Sequence, residues 1–378
     1  MLRGILLGAP LVLSGCLVSP PNESIESPLG TVRADRLDEA RIVSAYLSDL
    51  RPRVMEYLPD TRYVEDMEVW LQEVPALYRF PATRATGAEG LWAEHHGRIL
   101  LSRGADDIER TLTHELVHAS LGETWHTLPG SLEEGLCDFV SAEICESGAA
   151  RLRAGRLSSA ALACGGLQLE LNVVRARDRE AAAEGARVPS WTARIVLSGE
   201  YRGEDAHLDV FDVQAGLSSS KLAANEKRGF YGLSFLLIDR IAGREGLDSI
   251  HTMCLKAEAA GYDAIPTEWL LECAQLSAER GDWRRAAAQA VGEEELLELL
   301  RMYPEFVVDV LAGYVEGYIE PGPFRDRYDD LEVTLTVVEG DTALDLSHAA
   351  FVRDLVSLRV GDRSRDTAVA AAYSRSNE

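Results

Sequence analysis

The segment 114–118 limits the possible fold and chemistry of this chain more than any other part. Its sequence, HELVH, matches the pattern H-E-x-x-H. Two histidines four positions apart lie on the same face of a helix, about one turn from each other, so both imidazoles can reach one metal ion. His114 and His118 are therefore predicted to be metal ligands, with Glu115 beside the metal. Given the eight histidines of the chain, a match by chance has a probability of roughly one or two per cent.

The residues around this segment predict the helix that such a site requires. Asp106 is expected to cap its amino terminus, with Glu109 three positions later, and Gly122 is expected to end it. An apolar face with helical spacing consists of Ile108, Leu112, Leu116 and Ala119. The predicted helix is thus buried on one side, and the histidines lie to the side of that apolar face.

The third ligand is expected in the following helix. A hydrolytic zinc site needs three protein ligands and one open position. His126 does not have the spacing of a third histidine ligand in the extended motif. The segment 131–140, SLEEGLCDFV, resembles the glutamate helix of the gluzincins, the thermolysin-like and aminopeptidase-N-like metallopeptidases. This resemblance implies that Glu134 is the third zinc ligand and that Asp138 holds a zinc histidine from the outer shell.

The acidic residues of this segment also have simpler interpretations. Glu134 follows Ser131 by three positions, so the two residues could form a capping box at the start of the helix. Asp138 could be a solvated helix residue, and Glu133 either supports the site or lies at the surface. The sequence leaves these alternatives open.

The gluzincin resemblance implies an α+β fold of the zincin type, with two lobes and the zinc ion at the floor of the cleft between them. The expected peptidase domain, 37–320, consists of a motif-bearing lobe (37–148) and a mainly helical lobe (149–320), and a small C-terminal extension follows (321–378). Hydropathy predicts helices at 37–58, 150–163, 230–242, 249–260, 267–279 and 293–303, strands at 68–74, 99–102 and 331–338, and strands or long loops at 188–198 and 207–213.

Substrate binding is expected along the segment 90–104, which the resemblance identifies as an edge strand that pairs antiparallel with a peptide. The adjacent His95 and His96 would point to opposite faces of that strand, so they are not expected to bind a metal together. The string with which aminopeptidase-N-like enzymes hold a free amino terminus is missing. Aminopeptidase activity is therefore not predicted.

The resemblance also implies a Tyr or His from the second lobe that stabilises the oxyanion. Tyr231 is the first choice, because the segment 229–240, GFYGLSFLLIDR, is similar to a Tyr-bearing helix found downstream of the E-G motif in many such peptidases. His207 and His251 are the alternatives. A tyrosine at the start of an apolar helix is also a common core residue.

The amino terminus predicts export and lipid attachment. A short basic start and an apolar run precede Leu13-Ser14-Gly15-Cys16, which matches the bacterial lipobox and implies a signal peptide over residues 1–16 with lipid on Cys16. Leu17 favours the outer membrane by the sorting rule of model Gram-negative bacteria. An ordinary secretory signal or a buried apolar start is the alternative. The polar, Pro-rich composition that follows predicts a flexible tether over residues 17–36.

Charge and cysteine content narrow the possible partners. The net charge of -24 argues against nucleic-acid binding, which requires clustered Lys and Arg. An exported location permits disulfides between Cys254 and Cys273, and between Cys164 and either Cys137 or Cys145. No Cys-x-x-Cys spacing occurs, so a thiolate zinc site is not predicted.

These patterns together predict zinc-dependent hydrolysis of peptide bonds by an envelope metallopeptidase that is anchored to the membrane. His114, His118 and Glu134 would hold one zinc ion, and Glu115 would accept the proton of the water that the zinc activates. The expected partners are a peptide or protein substrate and the membrane. One alternative is a catalytically inactive zincin-fold lipoprotein with a binding or structural role. Another is a zinc hydrolase of a non-peptide amide, such as cell-wall material.

Overall fold

The computed structural model describes residues 20–73, 90–93, 97–178, 186–198, 211–218, 224–320 and 324–361, together with residues 181, 184 and 322. The described strands are β1 (Glu23–Ser27), β2 (Gly30–Ala34), β3 (Glu68–Gln72), β4 (Gly90–Ala93), β5 (Arg98–Ser102), β6 (Leu167–Arg175), β7 (Ser190–Leu197), β8 (Leu331–Val337) and β9 (Ala343–Asp345). The described α-helices are α1 (Leu37–Tyr57), α2 (Ile108–Ser120), α3 (Gly130–Ile144), α4 (Ala149–Ala163), α5 (Val213–Ser218), α6 (Ala224–Glu245), α7 (Asp248–Ala259), α8 (Thr267–Ala274), α9 (Arg280–Ala290), α10 (Glu293–Met302), α11 (Glu305–Tyr318) and α12 (Phe324–Asp329), and residues 350–361 are also helical. The protein is therefore mixed α+β, in agreement with the predicted class.

The first sheet has the strand order β1-β2-β3-β5-β4. Strands β2, β3 and β5 are parallel, whereas β1 and β4 run antiparallel to their neighbours. Helix α1 covers this sheet because its buried residues recur every three or four positions, which makes one apolar stripe. The buried positions of that stripe are Ala40, Val43, Leu47, Leu50 and Val54. The predicted edge strand in the segment 90–104 is wrong as a single strand, because the described residues contain two strands. Strand β4 is the last in the order, whereas β5 pairs with both β3 and β4.

The predicted flexible tether over residues 17–36 is wrong for residues 23–34, which form the antiparallel pair β1 and β2. Val32 and Ala34 are fully buried under α1, so the segment supplies part of the core despite its polar composition. The guanidinium of Arg51 donates hydrogen bonds to the carbonyl oxygens of Leu29 and Val64, which fixes the turn between the strands. The prediction failed because an edge hairpin needs apolar residues at alternate positions only.

The second sheet is antiparallel and has the order β7-β6-β8-β9. Strand β6 follows a period of two, with Leu167, Leu169, Leu171 and Val173 buried. The expected mainly helical lobe therefore also contains β6 and β7. Strand β8 belongs to the expected C-terminal extension, but it pairs with β6 from Leu169 to Arg175, so this part of residues 321–378 completes the second sheet.

The remaining predicted elements are present with shifted ends, and the segment 188–198 is strand β7. Helix α8 ends at Ala274, before the predicted end at 279, because Gln275 adopts the left-handed conformation with φ 51°. Helices α9 and α11 were not predicted. The segment 207–213 lies mostly outside the described residues. Among the residues described, no helix is both long and apolar enough to cross a membrane.

Candidate metal centre

Helix α2 carries the H-E-x-x-H segment and begins one residue later than predicted. The cap is Asp107, whose carboxylate accepts a hydrogen bond of 3.0 Å from the backbone N–H of Arg110, and the predicted cap Asp106 is wrong. Glu109 is consequently the second residue of the helix, one position short of a capping box. The predicted apolar face is confirmed in its inner part, since Leu112, Leu116 and Ala119 are fully buried.

Helix α3 begins at Gly130, so Ser131 lies inside the helix and is not its cap. The Ser131 hydroxyl faces the carbonyl oxygens of Gly216 and Leu217, at 3.1 and 3.2 Å. The capping box with Glu134 is therefore wrong. Gly135 allows close packing on α6, because a Cβ at this position would lie 2.5 Å from the carbonyl carbon of Ser234.

The two histidines and Glu134 meet between α2 and α3. Glu134 Oε2 lies 3.2 Å from His114 Nε2 and 3.6 Å from His118 Nε2. The other nitrogen of each ring is held by a carboxylate: His114 Nδ1 lies 3.1 Å from Asp138 Oδ1, and His118 Nδ1 lies 2.6 Å from Glu133 Oε1. The two Nε2 atoms therefore face one carboxylate oxygen, and the two Nδ1 atoms face outward.

This arrangement fits a tetrahedral metal ion. With zinc–ligand bonds of about 2.1 Å, neighbouring donor atoms lie about 3.4 Å apart. The distances of 3.2 and 3.6 Å from Glu134 Oε2 to the two histidine nitrogens bracket this value. Carboxylates on the far ring nitrogens are also common around metal-binding histidines, because they fix the tautomer and the ring orientation.

The charges of the cluster are strongly coupled. Burial opposes the protonation of His114, but hydrogen bonds to Asp138 and Glu134 outweigh it and raise the pKa of this histidine to about 9. Burial acts against ionisation of Glu134, yet His114 and His118 hold its pKa well below the usual range. Three carboxylates around two imidazoles make a negative site that would also attract a divalent cation.

Asp138 connects the cluster to helix α4. Its side chain is 1% exposed, so the interpretation as a solvated helix residue is wrong. While Oδ1 faces His114, Oδ2 lies 2.5 Å from Nε of Arg156 on α4. Burial alone would raise the pKa of Asp138. The positive charge of Arg156 lowers this pKa by a larger amount, so the net effect is a lowered pKa. Asp138 is thus an ionised acceptor in a chain that runs from Arg156 to His114.

Tyr231 lies near this chain. Its ring centroid is 5.8 Å from Cζ of Arg156, and burial together with the negative charge of Glu134 raises the pKa of its phenol to about 12. The next residue, Gly232, lets α6 approach α4, since a Cβ there would lie 2.6 Å from the carbonyl oxygen of Arg156. The oxyanion role of Tyr231 stays a prediction.

The other histidines are placed as follows. His251 Nε2 lies 2.8 Å from Thr124 Oγ1, and its ring packs on Trp125 at 5.0 Å. His126 is exposed and contacts the carbonyl oxygen of Glu123. His95, His96 and His207 lie outside the described residues.

Glu115, next to His114 on α2, is buried.

Cys137 was not predicted as a metal ligand. This fully buried residue lies close to His114 and His118. One potential ligand atom from each of the three residues lies within 4.8 Å of the other two, so the group could hold a metal ion. The available signal was helical spacing, because a residue three positions after Glu134 lies on the same face. Cys137, Cys145, Cys164, Cys254 and Cys273 are all free thiols, so none of the disulfides considered above is formed.

No protein-family model matches the chain, and no curated protein matches it either.

Proposed function

We propose that this protein is a metal-dependent hydrolase of the gluzincin type that cleaves peptide bonds in peptides or proteins. The observation that carries the proposal is the position of Glu134 Oε2, which lies within 3.6 Å of Nε2 of both His114 and His118. A histidine pair and a carboxylate leave one position of a tetrahedral zinc ion open, as catalytic zinc sites require. Zinc is the metal that this donor set favours.

The surroundings support a peptidase. Strand β4 is the last strand of the first sheet and runs antiparallel to β5, and α2 follows directly after β5. An edge strand beside the metal can pair with an extended peptide through its free backbone groups. These features favour the zincin-like, two-lobed interpretation of the α+β fold.

Each protein group has a distinct task in the proposed reaction. A bound zinc ion supplies Lewis acidity, which activates water and polarises the scissile carbonyl. Glu115 accepts the proton of the attacking water and passes it to the leaving amine. Asp138 and Glu133 orient the two histidines through Nδ1, so that both Nε2 atoms face inward. Tyr231 donates a hydrogen bond to the oxyanion, and its raised pKa keeps the phenol protonated at neutral pH.

The proposed location is the bacterial cell envelope, most simply the outer membrane, with lipid on Cys16. This residue lies outside the described residues, so the lipobox carries this part of the proposal. Metabolic labelling with a radioactive fatty acid tests it. Wild type should be labelled, and Cys16→Ser should not be.

The decisive variant for the proposed function is Glu115→Gln. We expect it to bind zinc with the wild-type stoichiometry and to lose hydrolysis by about 10²–10⁴-fold, which is the usual contribution of a general base. The measurement is cleavage of a peptide library, followed by mass spectrometry with and without chelator, beside a zinc determination. Glu109→Gln on the same helix is the matched control and should keep wild-type activity.

The other outcomes separate the alternatives. Wild-type cleavage by Glu115→Gln would contradict the assignment of the base. Full zinc content without any chelator-sensitive cleavage would favour a non-catalytic zincin scaffold. Cleavage of purified peptidoglycan in place of the peptide library would favour an amidase of the cell wall. His118→Ala should lose the metal itself, and full zinc content in this variant would contradict the site.

A further inference from the structure

Cys137 is a fourth potential metal donor at the same cluster. Its side chain is fully buried, and its sulfur lies within 4.8 Å of a ring nitrogen of His114 and of His118. Cys137 follows Glu134 by three positions on α3, so the helix presents the thiol and the carboxylate on one face. The same two residues, His114 and His118, thus belong to both donor sets.

The contacts of Cys137 differ from those of Cys145, the thiol that directly follows the same helix. The sulfur of Cys145 lies 3.1 Å from the hydroxyl of Thr113, and no histidine is grouped with it among the residues described. Cys137, in contrast, is surrounded by His118, Glu134 and Glu133, which all act on it electrostatically. A buried cysteine that serves only packing behaves as a small hydrophobic residue and has no need for such neighbours.

We propose that Cys137 ligates the metal ion in the resting protein, together with His114, His118 and Glu134. The proposal rests on the metal site proposed above and adds a closed state to it. Four protein donors complete a tetrahedral site, as in structural zinc sites, whereas catalysis needs one open position. The sulfur-bound form is therefore inactive, and the activity of wild type comes from the fraction of molecules in which the sulfur has left the ion.

The geometry allows this closure. In a tetrahedral site with a zinc–nitrogen bond of about 2.1 Å and a zinc–sulfur bond of about 2.3 Å, nitrogen and sulfur lie about 3.6 Å apart. The limit of 4.8 Å between the donor atoms leaves roughly 1 Å to be closed when the ion binds. The thiol gives up its proton to solvent on binding, and the thiolate sulfur donates the electron pair to the ion. A sulfur ligand also favours zinc and cobalt over magnesium and manganese.

Cobalt substitution tests the proposal on the full chain without measuring activity. The metal-free protein is titrated with Co²⁺, and the near-ultraviolet sulfur-to-cobalt charge-transfer band is followed beside the visible bands of tetrahedral cobalt. We expect both sets of bands in wild type and in the matched control Cys145→Ser. Cys137→Ser should retain the visible bands and lose the near-ultraviolet band. Its zinc affinity should fall by about tenfold or more, and the hydrolytic rate of its zinc-loaded form should exceed that of wild type.

The outcomes distinguish this proposal from the proposed function. Wild-type protein that binds one cobalt without the near-ultraviolet band overturns the role of Cys137 and leaves the metal site standing. Wild-type protein that binds no cobalt overturns both. Should Cys137→Ser fail to fold, X-ray absorption of zinc-loaded wild type gives the answer, because it counts sulfur ligands at about 2.3 Å from the ion. One sulfur supports the proposal, and none refutes it.

Discussion

Two arginines lie one turn apart on helix α4 and end in different surroundings. Arg156 Nε lies 2.5 Å from Asp138 Oδ2, and the other oxygen of this carboxylate faces His114. Arg153 lies 3.0 Å from Asp239 and 3.2 Å from Glu295, which belong to α6 and α10. The first arginine thus reaches the candidate metal centre through one carboxylate, whereas the second joins three helices.

Packing differs between the two arginines. Near Arg156, a Cβ on Gly232 would lie 2.6 Å from backbone, and Asp138 is 1% exposed. Near Arg153 there is a cavity of about 520 Å³ that Asp239 and Gly243 help to line, and a Cβ on Gly243 would meet nothing within 4 Å. A close-packed ion pair can hold a ligand in one orientation, whereas a pair beside an open cavity can be replaced by water. Packing, rather than residue type, therefore decides which arginine supports the site.

The largest effect is expected for Arg156→Ala. Removal of Arg156 leaves the buried charge of Asp138 with His114 as its remaining partner in the described contacts. We expect the free energy of unfolding to fall by about 3 kcal/mol. Asp138 then orients His114 less firmly, so zinc affinity should fall about tenfold. Urea unfolding of the metal-free protein and competition with a zinc indicator measure the two quantities.

Arg151→Ala is the matched control, because this arginine is exposed on the same helix. It should change neither quantity. If Arg156→Ala lowered stability and kept the zinc affinity of wild type, Arg156 would serve only the fold, and the distinction between the two arginines would fail.

The next effect concerns the packing that brings α6 to Arg156. Gly232→Ala places a methyl group against backbone atoms of Arg156 and Ala160, which cannot move aside as a side chain would. We expect a loss of about 2 kcal/mol in the free energy of unfolding, typical of overpacking. In Gly243→Ala on the same helix, the space is open, so stability should rise by up to about 1 kcal/mol through helix propensity. Equal effects of the two substitutions in thermal unfolding would contradict the difference in packing.

The sequence predicted the parts of the site that depend on local spacing. His114 and His118 lie four positions apart on one helix, so helical geometry alone orients them toward one ion, whereas Glu134 was predicted from the resemblance to the glutamate helix of the gluzincins. The structure brings all three together, and it places Asp138 against His114 as expected. Helix α1 and strand β3 were predicted for the same reason, since a periodic apolar pattern is a local property.

Other features depend on contacts between distant segments, and local patterns could not give them. Arg156 reaches Asp138 only because α4 packs back against α3. The Ser131 hydroxyl donates hydrogen bonds to the carbonyl oxygens of residues 216 and 217 and does not cap its own helix. Residues 23–34 appeared too polar to fold, yet pairing with β3 gives them a place in the sheet. The sulfur of Cys137 was overlooked because metal-binding cysteines are recognised in a sequence by paired spacings such as Cys-x-x-Cys, and Cys137 has no such partner.

The smallest effect is expected for Arg153→Ala, which should lower the free energy of unfolding by about 1 kcal/mol at neutral pH. The ion pairs of Arg153 are partly exposed, and water in the cavity can hydrate the remaining carboxylates. Zinc affinity should equal that of wild type, because Arg153 does not contact Asp138 in the described contacts. Zinc competition, as used for Arg156→Ala, checks this. A fall in zinc affinity as large as that of Arg156→Ala would mean that both arginines belong to one network.

The pH dependence of the stability loss in Arg153→Ala shows whether the carboxyl group of Asp239 causes it. Burial raises the pKa of Asp239 above its usual value, although Arg153 lowers it. A carboxyl with a raised pKa in the folded state stabilises that state below its unfolded pKa, and this stabilisation is lost as the pH rises through the folded pKa. Without Arg153 the pKa of Asp239 rises further, so the stability deficit should be smallest near about pH 4 and grow towards about pH 7. Urea unfolding across this range, with Arg153→Ala/Asp239→Asn as the reference, tests the assignment: a deficit that does not depend on pH would show that the charge of Asp239 plays no part.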